Sequence, residues 1–272
     1  HRVRAKDSVL AALSGGVDSS VVTAIAKIAL GDRAVAVTAE SMTLPPEELE
    51  EAKKIAKIIG IRHLTIKVDE LRNTNFVKNS PNRCYYCKKE LISELRKVLR
   101  REGLKTIVDG TNADDLKTYR PGLMALNEEG VYSPLAEVGV GKKDVRMLAK
   151  KLNLPVAEKP SMACLASRFF YGEKITAERL IRVWEAEKFL RSVAGVKQVR
   201  VRDYGKLARI EVEKNERKLF FDEELMDRVA DKLHSLGFVY VTFDLQGYRS
   251  SSMDEASENK SLNSSLTSHE FE

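Results

Sequence analysis

A chain of 272 residues, 43% hydrophobic and 32% charged, is long enough to bury its own core as one large or two modest domains, which excludes a mini-protein that depends on disulfides. Its formal net charge of +6 comes from 46 Lys and Arg mixed with 40 Asp and Glu, as in EELEEAKKIAKIIG (47–60), so a solvated surface is expected rather than a nucleic-acid-binding one. The basic excess still leaves room for a phosphate-bearing ligand. No run of about eighteen apolar residues occurs and HRVRAKDSVL lacks a signal-peptide core, so a soluble cytoplasmic protein with no membrane span is expected; because the chain opens on His1 and not Met, a few residues are expected to precede it.

β-Branched runs alternate with helical patterns over the first part of the chain. SVLAAL (8–13), AVAVTAE (34–40), HLTIKV (63–68) and TIVDG (106–110) read as strands. Between them SSVVTAIAKIAL (19–30), PEELEEAKKIAKIIG (46–60) and YYCKKELISELRKVLRREG (85–103) read as helices, and KDVRMLAKKLNLP (143–155) adds another. The alternation predicts an α/β domain over 1–160, a parallel sheet covered by helices, with ligands at the carboxyl ends of the strands.

Residues 156–175, VAEKPSMACLASRFFYGEKI, read as a polar, irregular loop at the seam with a second domain. That domain, 161–250, is expected to be a smaller α+β unit: helix TAERLIRVWEAEKFLRSV, two strands in VKQVRVRDYGKLARIEV, helix DEELMDRVADKLHSLG and strand FVYVTFDL. The Ser-, Asn- and Glu-rich tail 251–272 has little to bury and is expected to be disordered.

The corner SGGVDSS (14–20) joins a strand to a helix. Gly15 and Gly16 let backbone approach an anion without a Cβ in the way, Ser14, Ser19 and Ser20 add hydroxyl donors, and the helix end is positive, so the corner suits phosphate. Asp18 beside phosphates calls for a hard cation such as Mg²⁺ between them. The string is neither a Walker A loop nor a dinucleotide fingerprint; the plainer alternative is a turn with Ser19 as a helix N-cap.

SGGVDSS resembles the PP-loop of the ATP pyrophosphatase superfamily, whose members cleave ATP between its α and β phosphates and place AMP on a substrate oxygen. The resemblance implies that the corner holds the departing pyrophosphate and that Ala39 and Met42, in VTAESM, face adenine. VDGTNADD also ends a strand, and by position on the sheet Gly110, Thr111 and Asp114 should flank the nucleotide and its metal. The alternative there is a helix cap with Asp114 and Asp115 in the first turn.

Three cysteines are present: Cys84 and Cys87 as C-x-x-C entering a helix, and Cys164 much later. A lone C-x-x-C is ambiguous between redox, zinc and iron–sulfur chemistry. His1, His63, His234 and His269 do not stand in zinc-ligand spacing, and three thiolates without a fourth suit a cluster with one open iron. Packing at a helix entry is the structural alternative, disfavoured by the flanking Arg83, Lys88 and Lys89.

SGGVDSS, GTNADDLKTYRPG, SPLAEVGVGKKDVRMLAKKL, KPSMACLASRFFYGEKIT, VRVRDYGKLARIEV and YVTFDLQGYRSSSM occur in order and at fitting intervals, from about residue 8 to about residue 253. In this the chain resembles the LarE family, ATP-dependent sulfur transferases that mature the nickel-pincer nucleotide cofactor. The resemblance implies adenylation of a carboxylate of pyridinium-3,5-dicarboxylate mononucleotide, with release of pyrophosphate, then replacement of oxygen by sulfur, in two rounds. It further implies ATP, Mg²⁺ and, since Cys84, Cys87 and Cys164 are all present, a [4Fe-4S] cluster carrying hydrosulfide; in other members the CLASR cysteine, here Cys164, is itself the sulfur source.

Alternation places Arg200 and Arg202 on one face of a strand, and Arg209 and Glu211 on one face of the next. By resemblance Arg200 and Arg202 would hold the substrate phosphate with Glu211 nearby, whereas the residues alone also fit an exposed strand with ordinary charges. Arg168 would orient the Cys164 loop or receive charge, and a homo-oligomer is implied. The competing readings are tRNA thiolation, for which no RNA-binding module is evident, an amide-forming ligase of the NAD or GMP synthetase sort, which needs no placed cysteines, and a non-catalytic nucleotide-binding subunit.

Overall fold

The computed structural model describes residues 1–117, 120–160 and 163–249. The tail 251–272, expected to be disordered, lies outside the described residues. Contacts divide the chain into two units, His1–Met162 and Ala163–Glu272.

In the first unit the described strands β1 (Val9–Ala12), β2 (Ala34–Glu40), β3 (Arg62–Lys67) and β4 (Thr106–Val108) form a parallel sheet in the order β3-β2-β1-β4. The described helices of this unit are α1 (Val17–Leu30), α2 (Pro46–Ile59), α3 (Thr74–Val77), α4 (Arg83–Arg101), α5 (Pro121–Glu128), α6 (Pro134–Glu137) and α7 (Lys142–Lys151). The sheet is covered on both faces, which is why β1 and β2 read as continuous apolar runs. Val9, Ala11 and Ala36 pack with Val21, Ile55 and Val145 of α1, α2 and α7, while Leu10, Val37 and Ile107 pack with Ile92, Leu95 and Leu126 of α4 and α5.

The expected α/β alternation is present, with three shifts of detail. Helix α1 starts at Val17 with Gly16 as its N-cap, so Ser19 is a residue of the first turn and not the cap. Helix α4 starts at Arg83, which brings both Cys84 and Cys87 inside it. Helix α5, started by Pro121, adds apolar cover over α4.

The second unit runs α8 (Ala177–Ala194), β5 (Val199–Tyr204), β6 (Leu207–Val212), α9 (Glu223–Ser235) and β7 (Tyr240–Phe243). Thr176 and Asp222 cap α8 and α9 by accepting the N–H groups of Arg179 and Leu225. β5 and β6 are antiparallel around a turn where Gly205 has φ +74°, and α9 returns the chain so that β7 lies parallel to β6. This mixed sheet buries Val199, Val201, Ala208 and Ile210 against Ala186, Leu190, Val229 and Leu233. The segment read as a polar loop holds a 3₁₀ turn, Leu165–Arg168, in which Leu165, Ala166 and Arg168 are buried. Arginine hides there because its charge is paired, which residue-type counting does not reveal.

Candidate active site

At the carboxyl end of β1 the chain turns sharply at Gly15, whose φ of +78° and close approach to the Glu48 backbone oxygen, 3.0 Å from where a Cβ would stand, exclude a side chain. The hydroxyls then organise the corner. Ser14 N–H donates to Ser19 Oγ at 3.2 Å, Ser19 Oγ donates to the Gly16 carbonyl at 3.1 Å, and Ser20 Oγ donates to the same carbonyl at 2.7 Å. Gly110, after β4, lies so close beneath α1 that a Cβ would stand 2.6 Å from Ser19 N.

Asp18, in the first turn of α1, is gripped from two sides. Asn112 Nδ2 donates to its Oδ1 at 3.1 Å, and the ammonium of Lys142 donates to its Oδ2. Lys142 is itself held, because its backbone N–H at the start of α7 donates to Asp114 Oδ2 at 2.8 Å. The Asp114 side chain therefore accepts the first N–H of α7, while Asp115 lies in the first turn of a short 3₁₀ helix, Asp115–Lys117. Lys117 lowers the Asp114 carboxyl below the ordinary range through a hydrogen bond and its charge, with the Lys142 N–H adding to this. Thr111 donates its hydroxyl to buried Asp109 at 2.6 Å, which fixes the strand end.

Sequence reasoning passed over Lys142, Asn112 and Lys159. Lys159 Nζ reaches Glu48 Oε2 at 2.7 Å and the Gly15 carbonyl at 3.1 Å, placing a second ammonium on the corner. The signal available was a lysine just after a glycine N-cap, in GKKDVR. The corner thus gathers N–H groups, hydroxyls and two ammonium groups, Lys142 on the Asp18 carboxylate and Lys159 on that of Glu48.

At the end of β2, Thr38 donates to the Leu13 carbonyl at 2.6 Å and stands 2.8 Å from His63 Nε2. Burial, and then the charge of Lys53, lowers the His63 pKa. Ala39 is half-buried and Met42 is 38% exposed, both at the carboxyl end of the sheet. Nearby Thr43 donates to buried Glu70 at 3.1 Å.

Cys84 and Cys87 stand one helical turn apart at the amino end of α4, the first exposed and the second half-buried. That end carries the positive pole of the helix dipole. Among the described residues no group of three or more His, Cys, Asp or Glu side chains stands in position to hold a metal ion. The donor set itself, soft thiolates on an accessible helix end, fits iron–sulfur ligation.

In the second unit exposed Cys164 immediately precedes the buried turn Leu165–Arg168. Arg168 is fully buried and pairs bidentately with Glu187, Nε to Oε1 at 2.7 Å and Nη2 to Oε2 at 3.0 Å. Burial opposes the charge of both groups, but their mutual attraction outweighs it, holding Arg168 protonated and Glu187 below the ordinary carboxylate range. Arg168 Nη1 donates to the carbonyls of Ala163 and Cys164 at 2.9 and 3.0 Å.

Arg200 and Arg202 are 1% and 4% exposed, so β5 is not a strand of ordinary surface charges. Arg202 donates from Nε and Nη2 to Glu211 Oε2 at 2.9 and 2.7 Å, and Arg209 donates to Oε1 of the same buried carboxylate at 2.6 Å. Burial, and then the neighbouring charge of Arg168, lowers Arg200 to about 10; its guanidinium carbon lies 5.3 Å from the Tyr248 ring centroid. Among the described residues Arg168 thus pairs with Glu187, Arg202 and Arg209 share Glu211, and Asp244 stands 3.6 Å from Arg209.

A parallel sheet with helices on both faces and a serine- and glycine-rich corner at the end of its inner strand defines a PP-loop α/β domain, here followed by a smaller mixed-sheet unit. A family model described as NAD synthase matches residues 1–118. An uncharacterised protein of Synechocystis is 45% identical over 91% of this chain and 92% of its own length. Pyridinium-3,5-bisthiocarboxylic acid mononucleotide synthase of Lactiplantibacillus plantarum is 38% identical over 91% of this chain and 89% of its own. An uncharacterised protein of Methanocaldococcus jannaschii is 35% identical over 89% and 91%. The chain belongs to the LarE family, that of pyridinium-3,5-bisthiocarboxylic acid mononucleotide synthase. No helix among the described residues is long and apolar enough to cross a membrane.

Proposed function

We propose that this protein is an ATP-dependent sulfur transferase that converts pyridinium-3,5-dicarboxylate mononucleotide to its thiocarboxylates. The observation that carries the reading is the match to the synthase, which spans nearly the whole of both chains and therefore includes the second unit as well as the loop.

In this reading a substrate carboxylate oxygen attacks the α-phosphorus of ATP, the α–β bond breaks and pyrophosphate leaves. A sulfur nucleophile then attacks the acyl carbon, and AMP departs with the original oxygen; a second round treats the other carboxylate. Ser14, Gly15, Gly16, Ser19 and Ser20 receive the pyrophosphate, where N–H and hydroxyl donors stabilise the charge that develops on it. Asp18 would hold Mg²⁺, with Gly110, Thr111 and Asp114 beside it, and Ala39 and Met42 would border the adenine.

Cys84, Cys87 and Cys164 would hold a [4Fe-4S] cluster, which would supply sulfur as sulfide carried at the iron that no cysteine ligates. Arg200 and Arg202, with Arg209 and Glu211 at their side, take the substrate's phosphate, to which a pair of guanidinium groups on one strand face is suited. Arg168 shapes the backbone that presents Cys164. The protein acts in the cytoplasm as a homo-oligomer on a small molecule, not on nucleic acid or membrane.

Anaerobically purified protein given ATP, Mg²⁺, sulfide and the pyridinium mononucleotide is expected to release AMP and pyrophosphate only when the mononucleotide is present. The product should carry sulfur in place of carboxylate oxygen by mass spectrometry. AMP release independent of the mononucleotide, or an unmodified mononucleotide, would defeat the reading.

A further inference from the structure

Glu187 lies in α8, outside every motif of the sequence, and is 1% exposed. Its carboxylate does more than neutralise Arg168. Oε1 accepts both Arg168 Nε and the backbone N–H of Val201 in β5, at 2.7 and 3.1 Å, while Oε2 accepts Arg168 Nη2 at 3.0 Å. β5 is an edge strand of its sheet, so the Val201 N–H is one of the donors that an edge otherwise leaves unpaired.

The segment around Cys164 is stitched to that same edge at further points. Arg168 Nη1 holds the carbonyls of Ala163 and Cys164, Arg202 Nη1 donates to the Ser167 carbonyl at 2.9 Å, and Phe169 forms a parallel bridge with Asp203. Val201 stands between Arg200 and Arg202. Through Arg168 and the Val201 N–H, one carboxylate thus ties the cysteine segment to the strand that carries both arginines, beside the Arg202 and Phe169 contacts.

We propose that Glu187 is a positioning residue for sulfur transfer: acting through Arg168 and the Val201 N–H, it sets the Cys164 segment at a fixed place relative to Arg200 and Arg202. The inference rests on the function proposed above. A substrate anchored through its phosphate at those arginines then presents its activated carboxyl at a constant reach from Cys164. Glu187 itself contacts neither substrate nor sulfur, so its loss acts on the transfer of sulfur and not on the chemistry of ATP.

A purely structural role makes a different prediction, because replacing both members of a buried ion pair by apolar residues of similar size often costs little stability, whereas removing one member costs much. The test uses the full chain carrying Arg168→Met with Glu187→Leu, and separately Arg168→Lys, which keeps a charge for Glu187 but loses the fork that holds the Ala163 and Cys164 carbonyls. Melting, amide hydrogen exchange of residues 163–168 and thiocarboxylate formed per AMP released are measured. The double variant is expected to melt within a few degrees of the parent. Exchange in 163–168 should rise about tenfold or more, and product per AMP should fall about tenfold or more.

Arg168→Lys should loosen the segment and lower product per AMP in the same direction, and it decides the matter if the double variant does not fold. Parental exchange, or parental product per AMP in a folded variant, overturns the proposal. A parent protein that releases no AMP in response to the mononucleotide defeats the functional reading instead, and the exchange measurement then judges the positioning role alone.

Discussion

The ammonium of Lys142 is hydrogen-bonded to the carboxylate of Asp18 across 124 residues of sequence, and the backbone N–H of the same lysine is capped by Asp114. A cation thus already sits on the carboxylate expected to meet Mg²⁺, on a lysine whose backbone is tied down. In the function proposed above Asp18 would exchange that ammonium for Mg²⁺, and Lys142 would turn to a phosphate oxygen of the nucleotide.

Lys142→Met should accordingly raise the KM for ATP about tenfold or more, the range expected for loss of a charge-assisted hydrogen bond. Lys143→Met, its neighbour in α7, should stay within about twofold. Pyrophosphate release against ATP concentration measures both, and equal effects would remove Lys142 from the site.

Gly110 has no room for even one methyl group, since a Cβ would stand 2.6 Å from Ser19 N and 2.9 Å from the Asp18 carbonyl carbon. Both neighbours are backbone and cannot swing aside. Gly110→Ala should destabilise the fold by about 1–3 kcal/mol, as overpacking does, and should weaken ATP binding by pushing the corner out of shape. Denaturant unfolding and ATP titration check the two effects.

The cysteines separate two sources of sulfur. With a cluster, Cys84→Ala should abolish iron binding, visible absorbance and repeated turnover alike. If Cys164 donates its own sulfur, Cys84→Ala should retain a single turnover, and the parent chain should emerge lighter by the mass of H₂S. Anaerobic spectra, iron and sulfide counts, and intact mass before and after turnover distinguish the two.

Glu70 gives a pH dependence with a definite sign. Burial raises its carboxyl above the ordinary range, against the pull of hydrogen bonds from its own backbone, Ser41 and Thr43, and Oε2 has no hydrogen-bond partner among the described residues. The folded pKa exceeds the unfolded one, so the folded state binds more protons between the two values. The contribution is fully present below the unfolded pKa and is lost as pH rises through the folded one. Glu70→Gln cannot ionise, so it should raise the Tm by about 2 °C or more at pH 8 and by less near pH 4. A gain of the same size at both pH values would show that ionisation is not the cause.

The parallel sheet was legible because its cause is local. Apolar runs at 9–12 and 34–40 and the amphipathic pattern of 46–59 each specify an element from a few adjacent residues, and a buried parallel sheet follows from their alternation. The corner 14–20 was legible for the same reason, since its glycines and hydroxyls act on backbone within seven residues. The start of α1 was less so, because Gly16 caps it without any side chain to mark the place.

What the sequence by itself determined, then, is the alternation of strands and helices, the serine- and glycine-rich corner, the C-x-x-C helix entry and the arginine-bearing strands. Only the tertiary structure decided that Arg168 pairs with Glu187, that Arg202 and Arg209 share Glu211, that Asp114 caps α7 and that Lys142 reaches Asp18. Periodicity reports which face a side chain takes, whereas a buried charge is satisfied by whichever opposite charge the fold brings within about 3 Å, and that partner can lie anywhere in the chain.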